Sequence, residues 1–271
     1  MFGLAGVLGA YVGLSALQLT FGRTLFAALA LVAVTFSLLK SSTSKRPVIN
    51  GLLVGSGVLL AIHWVLFFAS INASTVAIGL VTFSTCTVFV ALLEPWYFRE
   101  QLNPLSVGAA FCVLLGIVIM SGALFGELVY VKGLVLGIFS GFTFAVLQLV
   151  NRKLANTSGS VTTALIQNAV AALVLLPFVW SGLGAIQSQQ WLILVFLGIG
   201  CTALAQTLFI YSLKHIKVVT ASLIAAGLEP VYGVLLAAVV LSQLPGLHVL
   251  VGGTLVLLTV VLVTYSGVSN K

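Results

Sequence analysis

The sequence predicts an all-α polytopic membrane protein of about ten transmembrane helices arranged as an inverted five-plus-five repeat. Three observations carry this. Apolar runs near twenty residues long recur along the whole chain, and a helix needs about twenty residues to cross a bilayer core. Hydrophobic residues make up 61% of the chain and charged residues 6%, against about 25% charged in a soluble domain. A faint likeness joins the two halves: setting Leu66-Phe67 against Leu208-Phe209 also pairs Ser70 with Ser212, Val76 with Val218 and Gln101-Leu102 with Gln243-Leu244. An odd number of spans per half makes the second copy enter from the opposite side, as in transporters built around a midplane site. The expected division is 1–125, holding helices 1–5, and 126–271, holding helices 6–10.

Taken in order, Met1 to Gly13 is apolar but too short for a full crossing, so the first helix is expected to be truncated, with a native start upstream. Leu17 to Leu39 is a full span with Arg23 about two turns inside its first end, a position from which the side chain can snorkel to the near interface. Ile49 to Ile71 carries His63-Trp64, with Ser56 and Ser70 one heptad either side of the histidine, a thin polar stripe. Ser74 to Tyr97 holds Ser84, Thr85 and Thr87 and ends on Glu94-Pro95-Trp96; Leu105 to Leu124 closes the first half.

Gly133 to Val150 opens the second half and stops at Asn151-Arg152-Lys153. Val161 to Trp180 contains Gln167 and Asn168, Gly182 to Gln190 reads as an uncharged loop, and Trp191 to Leu213 contains Gln206, Thr207 and Tyr211. After the basic turn Lys214-His215-Ile216-Lys217, Val218 to Leu241 places Glu229-Pro230 near the middle of a span, and His248 to Tyr265 is the last. On a helical wheel Ser222, Ala225, Ala226, Tyr232 and Gly233 share the glutamate's face, while Ile224, Leu228, Val231 and Leu235 take the lipid side. Pro230 removes a backbone donor beside the acid, so a polar cavity is expected there.

Charge sets the orientation, because cytoplasmic loops collect Lys and Arg. With Lys40, Lys45 and Arg46 inside, Arg99, Arg152, Lys153, Lys214, Lys217 and Lys271 also fall inside and only Lys132 falls outside. Both termini are then cytoplasmic, and the expected location is a bacterial inner membrane. The net charge of +7 is scattered over short loops rather than gathered into a stripe, which argues against nucleic acid. Cys86, Cys112 and Cys201 lie in apolar runs without metal spacing and read as small core residues. With no Asp in the chain, metal-binding carboxylate clusters and a Ser-His-Asp triad are absent, and no P-loop is present for ATP-driven pumping. No cofactor is expected. The expected partners are a small-molecule substrate and the lipid bilayer, with the chain a monomer or weak homodimer.

Several stretches resemble those of a known family, an EamA-type member of the drug/metabolite transporter superfamily. Phe21-Gly22-Arg23-Thr24-Leu25-Phe26-Ala27-Ala28 resembles its arginine-containing second helix. Phe89 to Leu93 followed by Arg99-Glu100-Gln101-Leu102 resembles its fourth helix and acidic turn, with Gln101 in place of the usual arginine. Val219-Thr220-Ala221-Ser222, Leu228-Glu229-Pro230-Val231 and Gly252-Gly253 resemble the second copy, whereas Ser242-Gln243-Leu244-Pro245 lacks its acidic turn residue. The resemblance implies ten helices, an inverted repeat, a central cavity and transport of small organic solutes, mostly export.

The candidate substrate or coupling residues are Glu229, His63, Trp64, Arg23, Gln206, Tyr211, Ser222, Tyr232 and Thr87. Two roles fit Glu229: a partner for a proton or a substrate amine, or a neutral acid that ties neighbouring helices. Arg23 either meets a substrate carboxylate or is a snorkelling, structural arginine. His63 with Trp64 either lines the cavity or is a satisfied core residue. Gln167, Asn168 and Gln206 suit interhelical bonding or cavity lining. Glu94 is explained by pairing with Arg99 or by water, and Trp96, Trp180 and Trp191 read as interface anchors. The function expected from this pattern is secondary export of small polar or amphipathic metabolites by alternating access, proton-driven through Glu229. The alternatives are an intramembrane lipid-modifying enzyme, which requires His63, His215 and Glu229 to converge, and a non-transporting scaffold.

Overall fold

Apolar segments deprived of water satisfy their backbone internally, so the chain folds into helices throughout, with no strand among the described residues. The computed structural model describes residues 2–39, 50–99, 104–120, 130–222, 225 and 229–269. The helices are α1 (Phe2–Val12), α2 (Ala16–Leu39), α3 (Gly51–Asn72), α4 (Val76–Ser84), α5 (Cys86–Phe98), α6 (Pro104–Met120), α7 (Val131–Thr157), α8 (Ser160–Val179), α9 (Ser188–Phe196), α10 (Ala205–Ser212), α11 (Val218–Ser222), α12 (Glu229–Leu241) and α13 (Leu247–Ser269). Among the described residues six stretches are long and apolar enough to span, and four shorter apolar helices accompany them: Gly3–Val12, Val107–Met120, Glu229–Leu241 and Leu247–Leu262. The protein is an integral, multi-pass, all-α membrane protein.

Local chemistry sets the helix starts. Asn50 accepts the Leu53 N–H at 2.9 Å to cap α3, and Thr75 accepts the Ile78 N–H at 3.3 Å to cap α4. Between α7 and α8 the chain reverses at Gly159, whose φ of +80° suits a residue without Cβ.

Three features depart from the hydropathy reading. The span from Ser74 to Tyr97 is two helices divided at Thr85, whose hydroxyl donates to the Thr82 carbonyl at 2.6 Å. The span from Trp191 to Leu213 begins at Ser188 and carries a π-helical segment over Leu197–Leu204, in which Thr202 donates its hydroxyl to the Leu197 carbonyl at 2.7 Å. And α7 continues past Val150 through Asn151-Arg152-Lys153 to Thr157, because charged residues end an apolar layer without ending a helix.

Close backbone approach holds the bundle together. α3 packs on α7 and α8, α2 on α8, and α6 on α13. A Cβ on Gly116 would sit 2.9 Å from the Gly252 carbonyl, and one on Gly137 would sit 2.8 Å from Thr82 Cβ, so only glycine lets these helices meet. The span Val76–Phe98 is the most enclosed, with 83% of its central window buried against 39–56% in the other full-length spans. Trp96 and Trp180 are 80% and 70% exposed at span ends, whereas Trp191 packs edge-on against Phe26 with ring centroids 5.9 Å apart. Cys86 and Cys201 are buried, but Cys112 is exposed on α6 and is not a core residue.

Candidate functional site

At the centre of the bundle an arginine is held away from lipid and water. Gly22 on α2 faces Leu194, and a Cβ on Gly198 would lie 2.9 Å from the Arg23 carbonyl, so the π segment and α2 meet backbone to backbone. That approach brings Thr202 to Arg23. The Arg23 Nε donates to Thr202 Oγ1 at 2.9 Å and Nη2 to the Cys201 carbonyl at 3.5 Å. Its guanidinium lies on the face of Trp64, 3.6 Å from the ring centroid, with Phe68 at 5.4 Å. Arg23 is fully buried, so it does not snorkel: stacking on Trp64 and the carbonyl freed by the π segment replace the hydration that snorkelling would have kept. Nη1 has no hydrogen-bond partner among the described residues.

Glu229 opens α12 and is 1% exposed. The first turn of α1 covers it, a Cβ on Gly3 falling 3.1 Å from Glu229 Cγ and 2.6 Å from the Tyr232 ring. Neither carboxyl oxygen has a hydrogen-bond partner, and no ion pair reaches the group among the described residues. Arg23 lies within electrostatic reach of both Glu229 and His63 without touching the acid. The expected lipid and interior faces of this helix hold where described: Val231 and Leu235 are 53% and 65% exposed, and Gly233 is buried. Ile224, Ala226 and Leu228 lie outside the described residues.

His63 is fully buried in an aromatic cage, stacked on Phe144 at 4.6 Å and close to Phe83 at 5.4 Å. Its Nδ1 lies 3.1 Å from the Ser140 carbonyl oxygen and 3.0 Å from the Ser140 hydroxyl, which fixes the ring, while Nε2 has no partner among the described residues. Thr87 and Ser222 meet through their hydroxyls at 3.0 Å, and Cys86 Sγ and Gln148 Nε2 approach the same Ser222 oxygen at 3.4 and 3.5 Å. Two residues that the sequence did not single out, Gln148 and Thr202, therefore stand beside the expected ones. Gln148, an amide inside an apolar run, was a readable signal; Thr202 had none.

The other expected residues divide. Gln206 belongs to a buried amide chain: Gln206 Nε2 donates to Gln167 Oε1 at 2.9 Å, Gln167 Nε2 to Asn151 Oδ1 at 2.6 Å and to Ser56 Oγ at 2.8 Å, and Asn168 Nδ2 to Gln206 Oε1 at 2.8 Å. This is interhelical bonding among α3, α7, α8 and α10. Tyr232 is part-buried beside Glu229. Tyr211 stands apart, 53% exposed and against His215 with centroids 5.1 Å apart, because the end of α10 turns it outward. Glu94 pairs with Arg152 at 2.7 Å and not with Arg99, since the extra turns of α7 carry Arg152 beneath α5. Among the described residues an apolar groove of about 240 Å³ runs along the same helix as Glu229, past Pro230, Val234 and Gly253. No group of three His, Cys, Asp or Glu side chains suited to a metal occurs among the described residues.

Comparison with known proteins agrees with a transport role. The chain is 28% identical over 264 residues to the uncharacterized transporter YxxF of Bacillus subtilis (strain 168), covering 93% of this chain and 82% of that protein. It shares its fold with a solved protein described only as a crystal structure, at a TM-score of 0.66 and 21% identity, over 98% of this chain and 96% of that one. The model of the EamA-like transporter family, within the drug/metabolite transporter superfamily, matches residues 1–122 and again 131–265. The chain belongs to the EamA-like transporter family.

Proposed function

We propose that this membrane transporter is a secondary exporter of small organic metabolites, amino-acid-like or otherwise polar or amphipathic, working by alternating access with proton coupling through Glu229. The observation that carries the proposal is the state of that carboxyl group, fully buried with neither oxygen hydrogen-bonded among the described residues. A bare carboxylate in such a place costs several kcal/mol unless a proton or a cation neutralises it. A group that must hold one or the other can exchange them, and Arg23, whose Nη1 has no hydrogen-bond partner among the described residues, supplies the opposite charge for an anionic substrate group. Trp64, Phe67 and Phe68 furnish the apolar wall.

The division into 1–125 and 126–271 as inverted halves belongs to the same proposal. It is supported by the pairing of α2 with α8 and of α6 with α13, helices that hold the same place in each half, as a two-fold axis in the membrane plane requires. The proposed cytoplasmic C-terminus is supported by the basic loops, and the proposed bacterial inner membrane by the likeness to a bacterial transporter. An enzyme would need His63, His215 and Glu229 together, and His215 lies against the exposed Tyr211 while His63 is sealed in its cage.

The test begins with a metabolite export and uptake screen of cells with and without the protein, followed by reconstitution on any hit. Glu229→Gln should insert and fold normally, lose pH-driven accumulation in proteoliposomes and retain counterflow. Unchanged rate and pH dependence in that variant would show the acid to be structural.

A further inference from the structure

Two polar layers are stacked between the central residues and the basic end of the bundle. Glu94, near the end of α5, is 6% exposed, and three donors from two other helices converge on it. Arg152 Nη1 of α7 donates to Oε1 at 2.7 Å, the Val218 N–H to the same oxygen at 3.1 Å, and the Val219 N–H to Oε2 at 3.1 Å. The Arg152 guanidinium is further held over Phe98, 4.5 Å from the ring centroid. One carboxylate thus joins α5, α7 and the start of α11. About one helical turn deeper on α7 and α11, and two on α5, the same three helices meet again through Gln148, Ser222, Cys86 and Thr87. Beyond this second layer lies the Arg23 and Glu229 site.

We infer that Glu94, Arg152 and the Val218 and Val219 amides form a latch that must open for the central site to reach the face carrying Arg99, Lys153, Lys214 and Lys217. The latch rests on the alternating-access reading. Its chemistry suits a reversible closure: the bonds to the carboxylate are charge-assisted, and all three partners sit at helix ends, where water can take them over as the helices part. The inner layer is made of neutral contacts, three of the four through sulfur or at 3.5 Å, so it follows the outer one rather than holding alone. Glu94 is also the choice of residue the geometry demands, since two oxygens must accept from three donors and an amide would turn a donor toward them.

Cys86 reports on this route without any substrate. With Cys112→Ala and Cys201→Ala it is the sole cysteine, buried in the inner layer. Vesicles of both orientations are treated with a membrane-impermeant maleimide. Glu94→Gln should raise the labelling rate of Cys86 from the basic face by about tenfold or more, through a shift toward the open state. Arg152→Gln should raise it less, because Glu94 keeps the Val218 and Val219 donors. Equal rates in wild type and Glu94→Gln overturn the latch and leave the Glu229 proposal untouched. A rise from both faces would mean general loosening; the milder Arg152→Lys then decides, a one-sided rise supporting the latch and any other result overturning it. A rise confined to the opposite vesicle orientation keeps the latch and reverses the assignment of inside and outside. A failed transport screen does not affect the readout.

Discussion

Replacing Thr202 by valine removes one hydroxyl and little volume, yet the structure gives that hydroxyl two tasks. It accepts from Arg23 Nε at 2.9 Å and donates to the Leu197 carbonyl at 2.7 Å. After the change a fully buried guanidinium keeps, among the described residues, the Cys201 carbonyl at 3.5 Å and the rings of Trp64 and Phe68. Losing a bond to a charged group costs about 1.5–3 kcal/mol and a neutral one about 1 kcal/mol, so roughly 2–4 kcal/mol is expected in all. At about 2–4 °C per kcal/mol for a chain of this order of size, the melting temperature in detergent should fall by roughly 5–15 °C. The assay is thermal unfolding followed by size-exclusion chromatography, run as a double-mutant cycle with Arg23→Met. If the hydroxyl works through the guanidinium, Thr202→Val should cost about half as much or less once Arg23 is gone. A fall below about 1 °C in the wild-type background, or an equal fall in both, would refute the account of how the π segment holds Arg23.

Two further predictions concern packing and orientation. Gly137→Ala drives a methyl toward Thr82 and to 2.9 Å from Ser70 Oγ, hydroxyls already bonded to the Ile78 and Gly133 carbonyls, and should destabilise by about 1–3 kcal/mol or more, whereas Gly55→Ala, with open space at its Cβ, should be neutral or stabilising in the same melting assay. Single cysteines at Asn156 and Ser158 should be protected from an impermeant reagent applied to whole cells, while positions from Gly182 to Gln190 should label; labelling at Asn156 would reverse the topology. The companion loop positions Ser41 to Ser44 lie outside the described residues.

Much of the architecture was legible because the bilayer demands long apolar helices, and hydropathy reports that demand directly. Most of the described span ends fall within a few residues of the expected ones, α7 excepted, and Glu229 is as enclosed as its position between Ala225 and Gly233 implied. Hydropathy is blind to helix continuity, which explains the misplaced end of α7, the division at Thr85 and the π segment. Two of those misses, the end of α7 and the π segment, displaced a side chain. Continuing α7 to Thr157 exchanged Arg99 for Arg152 as the partner of Glu94. The π segment turned the arginine expected at the interface into one stacked on Trp64. Tyr211 lies downstream of the π turn, whose wider winding shifts the phase of the side chains that follow it, and it faces outward.

The enclosed span Val76–Phe98 has a consequence for biogenesis. In the finished protein its side chains meet other helices, so lipid would not penalise a few more polar residues there. It is nevertheless as apolar as the spans that face lipid, because helices enter the bilayer before they pack and each must first be stable alone among acyl chains. Two of its three threonines return their hydroxyls to their own backbone, Thr82 to Ile78 and Thr85 to Thr82, which hides their polarity during that solitary stage, while Thr87 pairs with Ser222 only once the helices have met. The composition of this helix therefore records the membrane it crossed on the way to the folded state rather than the neighbours it finally acquired.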